Sequence, residues 1–191
     1  QDFTTSTDTF NTAVGFQAGN AVTTGVRQTL IGGLAGDALT TGDNNTAIGY
    51  NSLSTMTVGD RNVAVGVGTL ASANVTSNAD TYNTAVGFDA GKSVTTGVNN
   101  TFLGGLSGDA NTTGNNNVSV GKSSFSANTT GSSGTAVGKS SLAANTTGAN
   151  NTAVGESCLA ANTTAANNTA VGFGSLGANT TGTRNSAMGS I

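Results

Sequence analysis

The chain repeats a short motif at intervals of 17 residues. Asn-Thr-Ala-Val-Gly returns, unchanged or varied, at Asn11, Gln28, Asn45, Asn62, Asn83, Asn100, Asn117, Gly134, Asn151, Asn168 and Asn185. Successive copies start 17 residues apart, except that Asn83 follows Asn62 after 21 residues. A fixed period of this size is typical of a solenoid, in which each repeat buries its apolar face against the next. The repeat is numbered below from the Asn, so that the glycine of the motif is position 5.

The repeat predicts an all-β fold, a parallel β-solenoid or β-roll whose 17-residue coils contain two short strands each. Glycine at positions 5 and 15 predicts corners near position 5 and between positions 15 and 1, because glycine enters left-handed backbone conformations cheaply. Thr-Ala-Val at positions 2–4 predicts one strand. Its position 4, always aliphatic or Met, is expected to point into the coil with position 2, while position 3 faces the other way. Thr-Thr pairs at positions 13 and 14, such as Thr23 and Thr24, predict the second strand.

Three further positions carry a pattern. Position 9 alternates between Gly and a large apolar residue, which we expect to fill the far end of the coil. Position 12 is apolar in the first copies and becomes Asn from Asn111 onward, which indicates a change of surface along the chain. Asn at position 1 is expected to stack from coil to coil through amide-to-amide hydrogen bonds.

The whole chain, 1–191, is expected to be a single repeat domain of about ten coils from Asn11. A 72-residue unit lies over the short repeat, because segment 8–16 returns at 80–88. This unit equals four short repeats plus a four-residue insertion within 75–82. Insertions in solenoids gather on one face and often bind partners, so we predict receptor contact at Phe10, Asn78, Asp80 and Tyr82. Since the stack stops within a repeat, we also expect a segment of a longer fibre.

Composition argues against several classes of function. The net charge is −3 and the charges are scattered, so there is no basic stripe for nucleic acid. No apolar run approaches the roughly 18–20 residues that membrane insertion needs. The chain has no His, and its one cysteine, Cys158, occupies a position that is otherwise Ala, Ser or Thr. We therefore expect no enzyme activity, no cofactor and no metal site.

The repeats resemble those of two families of fibrous proteins. The run Ala-Asn-Thr-Thr-Gly-Ala-Asn-Asn-Thr-Ala-Val-Gly at residues 144–155 is similar to repeats of bacteriophage tail-fibre proteins. The run Asn-Asn-Thr-Ala-Ile-Gly at 44–49 resembles the Asn-Ser-Val-Ala-Ile-Gly motif of trimeric autotransporter adhesin heads, which are left-handed parallel β-rolls. The resemblance implies a side-by-side homotrimer. Small residues at position 3 favour it as well, because they would let neighbouring coils approach closely.

Three hypotheses for function follow. The first is a structural and adhesive fibre segment, a phage tail-fibre shaft in the virion. Its partners would be its own trimer, other fibre or virion proteins, and a cell-surface glycan or protein receptor. The second is a bacterial trimeric adhesin at the cell surface. The third is an ice-binding β-solenoid with a Thr ladder, against which stands the fact that adjacent Thr residues in a strand face opposite sides.

Overall fold

The computed structural model describes residues 9–77 and 79–191, which form a parallel β-solenoid. Each repeat contributes a three-residue strand at positions 2–4, and the strands pair in parallel, in chain order, with position 2 beside position 2. The coils below take the number of their strand. The strands are β1 Thr12–Val14, β2 Thr29–Ile31, β3 Thr46–Ile48, β4 Val63–Val65, β5 Thr84–Val86, β6 Thr101–Leu103, β7 Val118–Val120, β8 Thr135–Val137, β9 Thr152–Val154, β10 Thr169–Val171 and β11 Ser186–Met188.

The predicted second strand is wrong: within the described residues, the Thr pairs at positions 13 and 14 form bends. They still join neighbouring coils, since the Thr23 N–H donates to the carbonyl of Thr40 at 3.0 Å. The Gly25 N–H donates to that same carbonyl at 3.2 Å. Two donors that share one acceptor break the alternation of a strand ladder, and the segment therefore bends instead of extending.

The side chains of the strand point in the directions opposite to those predicted. Position 3 is the buried one: Ala47 and Ala136 are fully buried, whereas Val14 at position 4 is 58% exposed and Ile31 is 37% exposed. The expectation that position 4 forms the internal column is therefore wrong. Position 3 is small because another side chain already fills the interior beside it.

That other side chain comes from position 9, as expected from its large residues. Leu53, Leu70, Leu142 and Leu159 at position 9 are fully buried. Where position 3 is large instead, position 9 is glycine. A Cβ on Gly36 would lie 2.8 Å from the Leu30 side chain. In coils 2–4 and 6–10 one of the two positions thus supplies a large side chain, whereas coil 5 has Ala85 and Gly91, and a Cβ on Gly91 would lie 2.7 Å from the Phe102 side chain of the next coil.

Position 12 also points inward, so the predicted change of surface is a change of core. It is fully buried both at Leu39 in the apolar part and at Asn145 in the polar part. From Asn111 onward the position-12 amides form a ladder in which each Nδ2 donates to the Oδ1 of the preceding coil. The distances are 2.7 Å for Asn128 to Asn111, 3.0 Å for Asn145 to Asn128, 2.9 Å for Asn162 to Asn145 and 3.0 Å for Asn179 to Asn162. Buried amides are tolerated here because the ladder supplies their partners.

The Asn residues at position 1 stack as expected, mainly through a bond between side chain and backbone. The Asn83 Oδ1 accepts from the backbone N–H of Asn100 at 3.0 Å, and the Asn83 Nδ2 donates to the Gly97 carbonyl at 2.8 Å. Amide-to-amide bonds occur at some steps, as from Asn62 to Asn45 at 3.0 Å. These bonds tie the corner before each strand to the next coil.

The two predicted corners have different causes. Gly121 at position 5 has φ +130°, and a Cβ there would lie 2.7 Å from the backbone of Gly138 in the next coil. Gly114 at position 15 is not in a left-handed conformation, contrary to expectation. It must be small because its Cβ would meet the Gly131 carbonyl oxygen at 2.4 Å. The left-handed residue of this corner is position 17, as at Asn99 with φ 58°.

Candidate interaction surface

The outward side of the parallel sheet is a continuous flat surface. Positions 2 and 4 of the eleven described strands form it, with Thr or Val in one row and Val, Ile, Leu or Met in the other, ending in Ser186 and Met188. We call this surface the strand face. Its aliphatic row is partly exposed along its length, for example 38% at Val86 and 36% at Val154. Parallel sheets are normally covered on both faces, whereas the aliphatic row of the strand face is partly exposed in the single chain.

Two rows of residues border the strand face. The leading edge is the residue before each Asn: Phe10, Arg27, Asn44, Arg61, Tyr82, Asn99, Asn116, Ser133, Asn150, Asn167 and Arg184. The trailing edge is position 6: Phe16, Gly33, Tyr50, Val67, Phe88, Gly105, Lys122, Lys139, Glu156, Phe173 and Ser190. Exposed aromatic rings concentrate in coils 1–5, with Phe16 75% and Phe88 59% exposed, whereas Lys139 and Glu156 form an ion pair at 3.0 Å farther along.

A small polar cluster lies where the insertion joins the leading edge. The Tyr82 hydroxyl donates to Asp80 Oδ2 at 2.9 Å, and the Arg61 guanidinium lies 5.7 Å from the centre of the Tyr82 ring. Arg61 also pairs with Asp80, and both side chains are more than two-fifths exposed. An exposed pair adds little to stability because water screens it, so its main effect is to orient the Tyr82 ring.

Of the three predicted receptor-contact residues that the structure describes, it brings two together. Asp80 and Tyr82 are in contact, while Asn78 lies outside the described residues. Phe10 is 73% exposed on the leading edge of coil 1, four coils from Tyr82, which is roughly 19 Å at 4.8 Å per coil. Receptor contact at these positions stays a prediction.

Sequence reasoning missed the strand face and its trailing edge. The signal was present in the motif itself, because the smallest residue of Thr-Ala-Val is the one that fits a narrow interior. Phe16 and Phe88 come directly after the corner at position 5, and both are exposed, by 75% and 59%.

Cys158 in coil 9 is fully buried and Asp109 in coil 6 is partly buried. Burial raises the pKa of the Cys158 thiol, which donates weakly to the Ala170 carbonyl at 3.2 Å. Burial also raises the pKa of Asp109, one of whose oxygens has no hydrogen-bond partner. Among residues 9–77 and 79–191, no three His, Cys, Asp or Glu side chains are grouped so as to hold a metal ion.

The chain matches no family model, no curated protein and no solved structure. Helices long and apolar enough to cross a bilayer are absent from the described part of the chain.

Proposed function

We propose that this chain is a structural and adhesive fibre segment, a bacteriophage tail-fibre shaft in which three copies lie side by side. The observation that carries the proposal is the open strand face, which runs unbroken along all eleven described strands. A rod whose coils are alike along its length suits a spacer, because every coil offers the same surface to its neighbours. The similarity of the repeats to tail-fibre repeats supports the phage assignment.

The strand face is the surface through which we expect the copies to associate. This replaces the expectation that small residues at position 3 allow close approach, because Ala136 and its equivalents are buried inside the coil. Eleven coils at 4.8 Å make the face about 50 Å long.

The proposal is tested by placing charge on the strand face. Val86→Lys with Leu103→Lys should release folded monomers, because association would desolvate two unpaired cations. The matched control is Thr96→Lys with Thr113→Lys, which adds the same charge at exposed position 14, outside the strand face. Sedimentation equilibrium measures the mass and far-UV circular dichroism checks the fold. A monomeric parent chain, or a strand-face variant that keeps the oligomeric mass, would remove the proposal.

The alternative within the same architecture is a bacterial trimeric surface adhesin. In both assignments the chain associates with copies of itself, and in both a cell-surface glycan or protein is the receptor. They differ in location, the virion or the bacterial surface. Structural virion genes beside the parent gene would support the phage fibre, and a membrane-anchor barrel in the parent gene would support the adhesin.

Ice binding is a second candidate, favoured by one feature of the strand face. The outward row at position 2 is Thr in eight of the eleven described strands, as at Thr135 and Thr152, and it runs beside an aliphatic row. Association would cover this face, so the two functions require different states. Thermal hysteresis from a monomeric sample would support ice binding, and an oligomer without thermal hysteresis would support the fibre.

A further inference from the structure

Aromatic residues occur on both edges of the strand face in coils 1 and 5, whereas Tyr50 and Phe173 of the trailing edge share their coils with leading-edge asparagines. Of the described leading-edge residues only Phe10 and Tyr82 are aromatic, and each shares its coil with a trailing-edge phenylalanine, Phe16 in coil 1 and Phe88 in coil 5. All four rings are at least half exposed, from 50% at Tyr82 to 75% at Phe16. The two rings of one coil lie on opposite edges of the strand face, six residues apart. The return of segment 8–16 at 80–88 repeats this pairing of edge residues in coils 1 and 5.

We propose that neighbouring copies lie parallel and in register, and that the leading-edge ring of one copy packs on the trailing-edge phenylalanine of the next, in coils 1 and 5. The inference rests on the self-association proposed above and specifies its geometry. When parallel copies surround an axis along the rod, the trailing edge of each meets the leading edge of its neighbour at the same height. Phe10 then meets Phe16 of the neighbour, and Tyr82 meets Phe88. Aromatic pairs of this kind contribute about 0.5–1.5 kcal/mol beyond the area they bury.

The surface beside each phenylalanine has room for the incoming ring. Gly105 follows Phe88 on the trailing edge, and a Cβ placed on it would meet only the Phe88 carbonyl oxygen, at 4.0 Å. Gly33 occupies the same place after Phe16 and is bordered by the Tyr50 ring at 3.4 Å. Tyr82 is held by Arg61 and Asp80 before any partner arrives. A ring that is already oriented loses less freedom on association.

Charge selects this register over the stagger that the 72-residue unit would otherwise allow. In register, Lys122 and Lys139 of the trailing edge meet Asn116 and Ser133 of the neighbour's leading edge. A stagger of four coils would also match aromatic rings, Phe16 with Tyr82 or Phe88 with Phe10. It would bring Lys122 against Arg184 in one direction and Lys139 against Arg61 in the other. Like charges across an interface are unfavourable, and a staggered contact does not close into a ring.

Cysteine cross-linking tests the register in the full chain. The background is Cys158→Ser, because position 8 is Ser in several other coils, such as Ser141. The matched pair is Tyr82→Cys with Phe88→Cys, treated with a short bismaleimide and separated on a denaturing gel. The staggered pair is Phe16→Cys with Tyr82→Cys, and each single variant is a control.

The expected result is covalent dimers and trimers from the matched pair, with none from the staggered pair or the single variants. Cross-linking of the staggered pair instead would overturn the in-register geometry. An oligomer whose matched pair does not cross-link would also overturn it and leave the fibre proposal standing. A chain that sediments as a monomer before any cross-linking would overturn both, so the two failures are distinguishable.

Discussion

Phe102 in coil 6 offers the sharpest test of how the interior is filled. It is 1% exposed at position 3, where most coils have Ala. Its ring lies beside two position-9 glycines, Gly91 of the preceding coil and Gly108 of its own coil. Phe102→Ala would leave a cavity that backbone glycines cannot fill, at a cost of about 3–5 kcal/mol. Since whole domains are stable by roughly 5–15 kcal/mol, this loss should be plain in a urea melt followed by far-UV circular dichroism.

The compensating change is Gly108→Leu, which restores the Ala-and-Leu arrangement of coils such as that of Ala136 and Leu142. Alone it should destabilise by about 1–3 kcal/mol or more through overpacking, because its Cβ would lie 2.2 Å from the Phe102 ring. Leu142 has φ 49° and Gly108 has φ 57°, so the structure already holds leucine in this conformation.

The double variant Phe102→Ala with Gly108→Leu should be more stable than Phe102→Ala alone, with a favourable coupling of up to about 3 kcal/mol between the two sites. Thr113→Ala, an exposed substitution, is the control and should change stability by less than about 0.5 kcal/mol. Losses that simply add in the double variant would refute the exchange of volume between positions 3 and 9.

Three further predictions concern single residues. Ala136→Asp should unfold its coil, because a buried unpaired charge costs several kcal/mol, whereas Val137→Asp should leave the monomer folded. A lower melting temperature for Val137→Asp than for Ala136→Asp would contradict the strand orientation. Cys158 should resist maleimide in the native state and react in denaturant, because burial removes access and raises the thiol pKa; rapid native labelling read by mass spectrometry would contradict this. Asp109→Asn should raise the melting temperature at neutral pH and lose that advantage in acid, because burial raises the pKa of Asp109 in the folded state. That carboxyl therefore destabilises the fold as pH rises through its titration, and a pH-independent difference would show that another effect dominates.

The period and the glycines of the sequence were enough to predict a parallel solenoid of 17-residue coils. The orientation of its strand was predicted wrongly, because a column of Val and Ile suggests burial when each strand is considered alone. Positions 3 and 9 together fill the interior instead. In the sequence this is visible only because a large residue at one position accompanies a small residue at the other, as Leu30 accompanies Gly36. Hydrophobicity at one position does not reveal which residue of the same coil has already filled the space.

At position 12 the sequence likewise did not reveal which residues are buried, in this case polar ones. Asparagine in an otherwise apolar position suggests exposure, yet Asn145 and Asn162 are fully buried. A ladder of like amides satisfies itself only once the coils are stacked, so its burial depends on contacts 17 residues away. The break in the period led to the prediction of the insertion within 75–82, but it gave no sign of the contact between Arg61, in the preceding coil, and Tyr82.

Function is harder to predict because the role that we propose for the strand face depends on contacts with a second copy of the chain. Sequence alone pointed to Phe10 and Tyr82 through the super-repeat. Their relation to Phe16 and Phe88 became apparent once all four were placed on the two edges of one surface.

The mass of the chain at sedimentation equilibrium tests the central claim, that copies associate through the strand face, most directly. The account predicts a folded particle with three times the 18.4 kDa of one chain over a wide range of concentration. A folded species of 18.4 kDa across that range would contradict it, because the strand face would then be open to water along its whole length.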